Sequence, residues 1–179
     1  ISAEIQSPLH IVQWVLTAYL LTISATLPII GKLSDMIGRG KVYNFGFLIF
    51  TLGSAGCGLS GSLGALIAAR VIQAIGASCL MSNSQAIVAE TFGEKGRGRA
   101  MGITGTVVSI GSLTGPGIGG LLVGSLGWPS IFWINIPIGF IAFVAGWYIL
   151  PKDKVQKENT PFDYFGSSLF IIGMVAFLY

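Results

Sequence analysis

No formal charge interrupts residues 100–151. As one helix that run would reach roughly 78 Å at 1.5 Å per residue, whereas the hydrocarbon core of a bilayer is about 30 Å thick. It is expected to cross twice, with a break at Gly127, Trp128, Pro129 and Ser130, where glycine and proline punctuate the apolar pattern. Residues 11–30, 42–69, 71–89 and 164–179 are likewise free of charge. Only 9% of the chain is charged, against about 25% in an ordinary soluble domain, which excludes a water-soluble globule. The expected class is all-α: a polytopic transmembrane helix bundle.

The charges are sorted by position. Nine of the ten Lys and Arg residues fall in three segments: Lys32, Arg39 and Lys41; Lys95, Arg97 and Arg99; Lys152, Lys154 and Lys157. These segments alternate with the uncharged turns near Gly61 and Trp128, so the positive-inside rule assigns all three to the cytoplasm and starts the chain on the outer side. The net charge of +3 and pI near 9.0 thus reflect topology, and no nucleic-acid partner is expected. GKLSDMIGRGK at 31–41 and GEKGRGR at 93–99 read as charged loops between spans 13–30, 42–60, 63–89, 100–126 and 131–150. Residues 151–163 read as a polar linker, and 164–179 as the start of a further span. Trp14, Trp128 and Trp133 suit an aromatic belt at the interface, and Pro137 is expected to kink the fifth span. The two cysteines, Cys57 and Cys79, differ in depth by roughly 15 Å at 1.5 Å per residue, which argues against a disulfide. The chain opens on Ile1 and stops in an apolar run, as expected of a piece of a longer protein.

Three constellations could carry function. GSLTGPGIGG at 111–120 places Gly111, Gly115 and Gly119 every four residues, one above another on a helix, with Gly120 beside them. That strip bears no side chain and admits a second helix closely, and Pro116 is expected to bend the helix near Ser112, whose carbonyl its ring opposes. Arg70 is the one formal charge expected inside a span, at a cost of about 2.5–3.5 kcal/mol on insertion scales. It either snorkels to the outer surface or serves the transport path. Gln73, Ala77, Met81 and Ser84 follow at helical spacing, as a polar or small face toward a cavity. At the cytoplasmic edge, Asp35 and Arg39 could pair and Glu90 could join them. Gln13, Thr17 and Ser24 share a face that either lines a polar path or satisfies backbone carbonyls.

These strings resemble the major facilitator superfamily. GxxxGPxxGG matches its antiporter motif C at Gly111, Gly115, Pro116, Gly119 and Gly120, which implies an exporter. GKLSDMIGRGK resembles motif A at Gly31, Leu33, Asp35, Gly38, Arg39 and Lys41, with Met36 and Gly40 where basic residues are usual. In the family that motif locks the cytoplasmic side of the carrier. LIAARVIQAIGAS at 66–78 resembles motif B of proton-coupled exporters through Arg70 and Gln73, with Ala74 where glycine is common, and implies proton transfer at Arg70. With GWPSIFWINIPIG at 127–139 and FDYFG at 162–166, the chain is similar to the fourteen-helix drug–proton antiporters of EmrB/QacA type.

The resemblance implies that residues 1–150 are helices two to six of the N-terminal half of a major facilitator fold, the first helix lying outside this chain. It implies a multi-pass protein of the inner or plasma membrane. Amphipathic organic compounds would be exported in exchange for protons by alternating access. The partners would be the substrate, protons, the lipid bilayer and the remaining helices of the same transporter, with no cofactor and no metal beyond the proton gradient as driving force. A carrier for one metabolite or siderophore, or a non-transporting scaffold, stays open. No Asp or Glu falls inside an expected span, so the titrating carboxylate is expected elsewhere. No phosphate loop, zinc motif or serine elbow occurs, and no enzyme is expected.

Overall fold

A computed structural model describes residues 9–150 and 164–178. Among them every element is helical: α1 Leu9–Ile37, α2 Arg39–Leu59, α3 Leu63–Leu126, α4 Ser130–Trp133, α5 Asn135–Ile149 and α6 Tyr164–Leu178. The linker expected at 151–163 lies outside the described residues. Four helices, counting α4 and α5 as one span, are long and apolar enough to cross a membrane. The third of these runs for 64 residues, about 96 Å if it were straight.

It is not straight. Gly93 has φ 57 and ψ −172, the one non-helical residue inside α3, and it divides the helix into a first leg, 63–92, and a second leg, 94–126. Two expectations are corrected here. Neither 31–41 nor 93–99 is a loop: helix continues through both, interrupted only at Gly38 (φ 122) and Gly93. Lys, Arg, Glu and Met are good helix formers, so the charges mark where the membrane ends, while the helix stops only where a positive φ excludes other residues.

The remaining boundaries have local causes. At the start of α3, Ser62 accepts a hydrogen bond from the Ala65 N–H at 3.3 Å, satisfying one of the free donors of the first turn. Gly127, at φ 80, ends the second leg. The interruption between α4 and α5 falls at Ile134, where Pro137 has no N–H to offer the Trp133 carbonyl four residues back.

The packing order is α6, α1, first leg of α3, α2, α5. Glycines bring α2 close to both neighbours. Toward the first leg, a Cβ on Gly53 would stand 2.5 Å from the Gln73 backbone. From the opposite side, a Cβ on Gly76 would strike the Phe50 and Gly46 backbone. Toward α5, Cβ atoms on Gly139 and Gly146 would collide with Thr51 Oγ1 and Asn44 Oδ1. Both pairs, 139 with 146 and 44 with 51, are seven residues apart, two helical turns. Without these glycines the axes could not approach as they do.

One end of the bundle holds an apolar cluster of Val15, Cys57, Leu66, Ala69, Trp128 and Phe132. Trp128 meets Phe132 edge to face at 6.2 Å. Trp128 is therefore not an interfacial belt residue: it is 6% exposed, while Trp133 is 42% exposed. Cys57 and Cys79 are both free and buried. The second leg stands apart from this core. Helical backbone continues through Pro116, yet Leu113 is 85% and Leu121 75% exposed.

Candidate functional site

At the charged end, α1 runs into α2 through the single residue Gly38. This turn sets Asp35 and Arg39 four residues apart, and Arg39 Nε donates to Asp35 Oδ1 at 2.8 Å. Its Nη1 donates to Glu90 Oε1 at 2.5 Å, from the last turns of the first leg. Each of these charges opposes its own helix dipole: Asp35 and Glu90 lie near C-terminal ends, and Arg39 opens α2 at its N-terminal end. None is therefore there to cap its helix. They are held by one another, and Arg39 ties three helix ends into one clasp. The side chains are 33–60% exposed, so each pair contributes only about 0–1 kcal/mol. A contact that weak can open and close. Gly31 lies one turn before Asp35 with nothing within 4 Å of a Cβ, and Lys41 is exposed on the first turn of α2.

Arg70 lies at the other end. Glu90 follows it by 20 residues on the same leg, about 30 Å of helix, which equals the hydrocarbon thickness of a bilayer. The guanidinium carbon is 5.0 Å from the Tyr19 ring centroid and 4.8 Å from that of Phe132. Nη1 donates to Gln73 Oε1 at 3.0 Å, Gln73 Nε2 donates to Ser54 Oγ at 2.6 Å, and Ser54 Oγ donates to the Phe50 carbonyl at 2.9 Å. None of the described carboxylates, Asp35, Glu90 and Glu94, pairs with Arg70, and its buried Nε finds no partner among the described residues. Two cation–π contacts at about 0.5–2 kcal/mol each are of the size needed to offset the insertion cost of the charge.

The face expected to line a cavity is divided by this packing. Gln73 is 2% and Ala77 6% exposed, both inside the helix seam, whereas Met81 is 58% exposed. Nearby, Thr26 and Ser78 share a hydrogen bond of 2.8 Å between α1 and the first leg.

The glycine-rich string behaves in the opposite way to the buried glycines of α2 and α5. Gly111, Gly115, Gly119 and Gly120 have nothing within 4 Å of a Cβ among the described residues, and Pro116 is exposed in the same run. The strip is thus an uncovered helical surface. Near its far end the second leg approaches the rest, where Leu122 and Leu126 line a cleft of about 610 Å³ with Gly58, Pro129, Ser130, Trp133 and Ile134.

The expected residues therefore form three separate groups. Asp35, Arg39 and Glu90 meet; Arg70 and Gln73 meet; and the glycines of 111–120 meet nothing described. Tyr19, Ser54 and Phe132 escaped sequence reasoning. A serine at helical distance from buried glycines is a weak signal for Ser54, and nothing in the pattern singles out the two rings.

A family model described as Major Facilitator Superfamily matches residues 1–178. The chain is 46% identical over 170 residues to the riboflavin transporter RibZ of Clostridioides difficile, covering 95% of this chain and 37% of that protein. It is 37% identical over 172 residues to the multidrug transporter protein MdtP of Bacillus subtilis, covering 95% and 31%. It is 38% identical over 169 residues to the multidrug resistance protein Stp of Mycobacterium tuberculosis, covering 93% and 31%. The chain spans about a third of the length of the curated relatives it matches.

Proposed function

The chain belongs to the major facilitator superfamily, a family of multi-pass helical membrane proteins, and from that premise we propose that it forms part of a secondary transporter of the inner or plasma membrane. The transporter exports amphipathic organic compounds in exchange for protons by alternating access. The observation that carries this reading is the second leg of α3: a side-chain-free strip at Gly111, Gly115 and Gly119 on an exposed helix, uncovered by anything described. Such a strip is suited to close packing against further helices of the same transporter, and its string matches the antiporter motif. The Asp35–Arg39–Glu90 clasp supplies a weak, breakable lock on the side read as cytoplasmic. Arg70 supplies a fixed cation near the opposite side, able to respond to a carboxylate that gains or loses a proton elsewhere in the pathway. The proton gradient is the driving force, with no cofactor.

The test is Gly115→Leu in the full-length transporter. It is expected to abolish efflux from everted vesicles while membrane insertion stays normal; unimpaired export by that variant would refute the reading. A second reading is favoured by the 46% identity to a riboflavin transporter: a carrier for one planar metabolite. Competition between riboflavin and a set of cationic dyes in proteoliposomes separates the two, since a multidrug exporter is inhibited by many unrelated amphiphiles and a metabolite carrier by close analogues alone.

A further inference from the structure

The hydrogen bonds that leave Arg70 have only one possible direction. A guanidinium can only donate, so Gln73 must present Oε1 to it. That turns Nε2 toward Ser54, whose Oγ accepts and is left to donate to the Phe50 carbonyl. Three bonds therefore run head to tail from the cation into the backbone of α2, an arrangement in which each bond polarises the next. Ser54 is 0% and Gln73 2% exposed, so water cannot stand in for either. The bond at 2.6 Å exists because Gly53 lets the two backbones meet: a Cβ there would fall 2.5 Å from Gln73 Cα.

Arg70 follows Leu63, the first residue of α3, by seven residues, about 10 Å of helix. An arginine stem can cover much of that distance and place its charge in the headgroup layer. Here the head of the side chain is held by protein groups. One edge is tied to Gln73, and the plane sits near the rings of Tyr19 and Phe132.

We propose that Ser54 and Gln73 are positioning residues for Arg70 during transport, forming a relay that pins the guanidinium at the α2–α3 seam and keeps it from escaping to the nearer membrane surface. The proposal rests on the proton-exchange reading above. Among the described residues, the titratable groups close to Arg70 are Tyr19 from α1 and Cys57 from α2. The first leg of α3 itself contributes Gln73, α4 contributes the ring of Phe132, and the charges of the second leg, Glu94, Lys95, Arg97 and Arg99, lie at the other end. An Arg70 released from the relay would meet solvent and headgroups, and the pH dependence of transport would move with it.

The test uses the full-length transporter in proteoliposomes under an imposed pH gradient, with ethidium and riboflavin as probes. Ser54→Ala and Gln73→Leu are each expected to lower the rate per folded molecule about tenfold, the effect of about 1.4 kcal/mol, and to shift its pH profile. Ser54→Thr keeps a hydroxyl that accepts from Gln73 Nε2 and donates to the Phe50 carbonyl, so it is expected to recover to within about threefold of the parent. Variants that reduce only the amount of folded protein, with rate per molecule and pH profile unchanged, would overturn the proposal. So would a folded Ser54→Thr that behaves like Ser54→Ala. A parent protein that moves neither probe, or moves them without regard to the gradient, would remove the proton-exchange reading and this proposal with it.

Discussion

Replacing Gly53 by alanine separates backbone propensity from tertiary packing. In an isolated helix the change stabilises by about 0.8–1.0 kcal/mol. Here the new methyl carbon would lie 2.5 Å from Gln73 Cα and N and 2.7 Å from Gln73 Cβ, where carbon atoms settle at about 3.5–4.0 Å. The facing atoms are backbone and cannot rotate away, so α2 and the first leg must part by about an ångström. Overpacking of this kind costs about 1–3 kcal/mol. The same displacement stretches the 2.6 Å bond between Gln73 and Ser54, whose loss adds about 1 kcal/mol. Set against the propensity gain, Gly53→Ala is expected to destabilise by about 1–3 kcal/mol. Gly64→Ala is the control, because a Cβ there meets nothing within 4 Å; it is expected to be neutral or mildly stabilising. Cys57 and Cys79 are buried free thiols, so a maleimide dye that fluoresces on reaction reports thermal unfolding of the full-length protein in detergent. The expected order of midpoints is Gly64→Ala at or above the parent and Gly53→Ala several degrees below it. Equal midpoints for the two variants would refute the claim that glycine sets the α2–α3 distance.

The other expectations concern the charged end. Glu90→Gln removes one of the two ion pairs of Arg39, both largely exposed; it should change stability by less than about 1 kcal/mol yet slow transport, and equal transport rates would show that the clasp is ornamental. Gly93→Ala places a side chain at φ 57 with open space around it, so any loss is backbone strain alone, about 1–3 kcal/mol, read as a lowered midpoint in the same thiol assay. An unchanged midpoint would mean that the elbow of α3 relaxes to helical dihedrals.

The uncharged runs and the placement of Lys and Arg were enough to order the apolar segments and put Asp35 and Arg70 at opposite ends, because transfer from water to hydrocarbon is decided residue by residue. Pro137 likewise announced the interruption before α5 through its missing donor. The helical course of residues 31–41 and 93–99 could not be read in that way, since charge reports contact with water and says nothing of φ and ψ.

Tertiary structure alone decided which apolar surfaces face protein. Lipid tails and neighbouring side chains are equally apolar, so hydropathy cannot tell one from the other. The glycines at 111–120 drew attention by their spacing and lie uncovered, whereas Gly53, Gly76, Gly139 and Gly146 carry the close approaches of this bundle. The burial of Trp128, and the meeting of Tyr19, Ser54, Gln73 and Phe132 around Arg70, come from helices distant in sequence. Each of those contacts depends on the distance between two axes, a quantity that no single segment encodes.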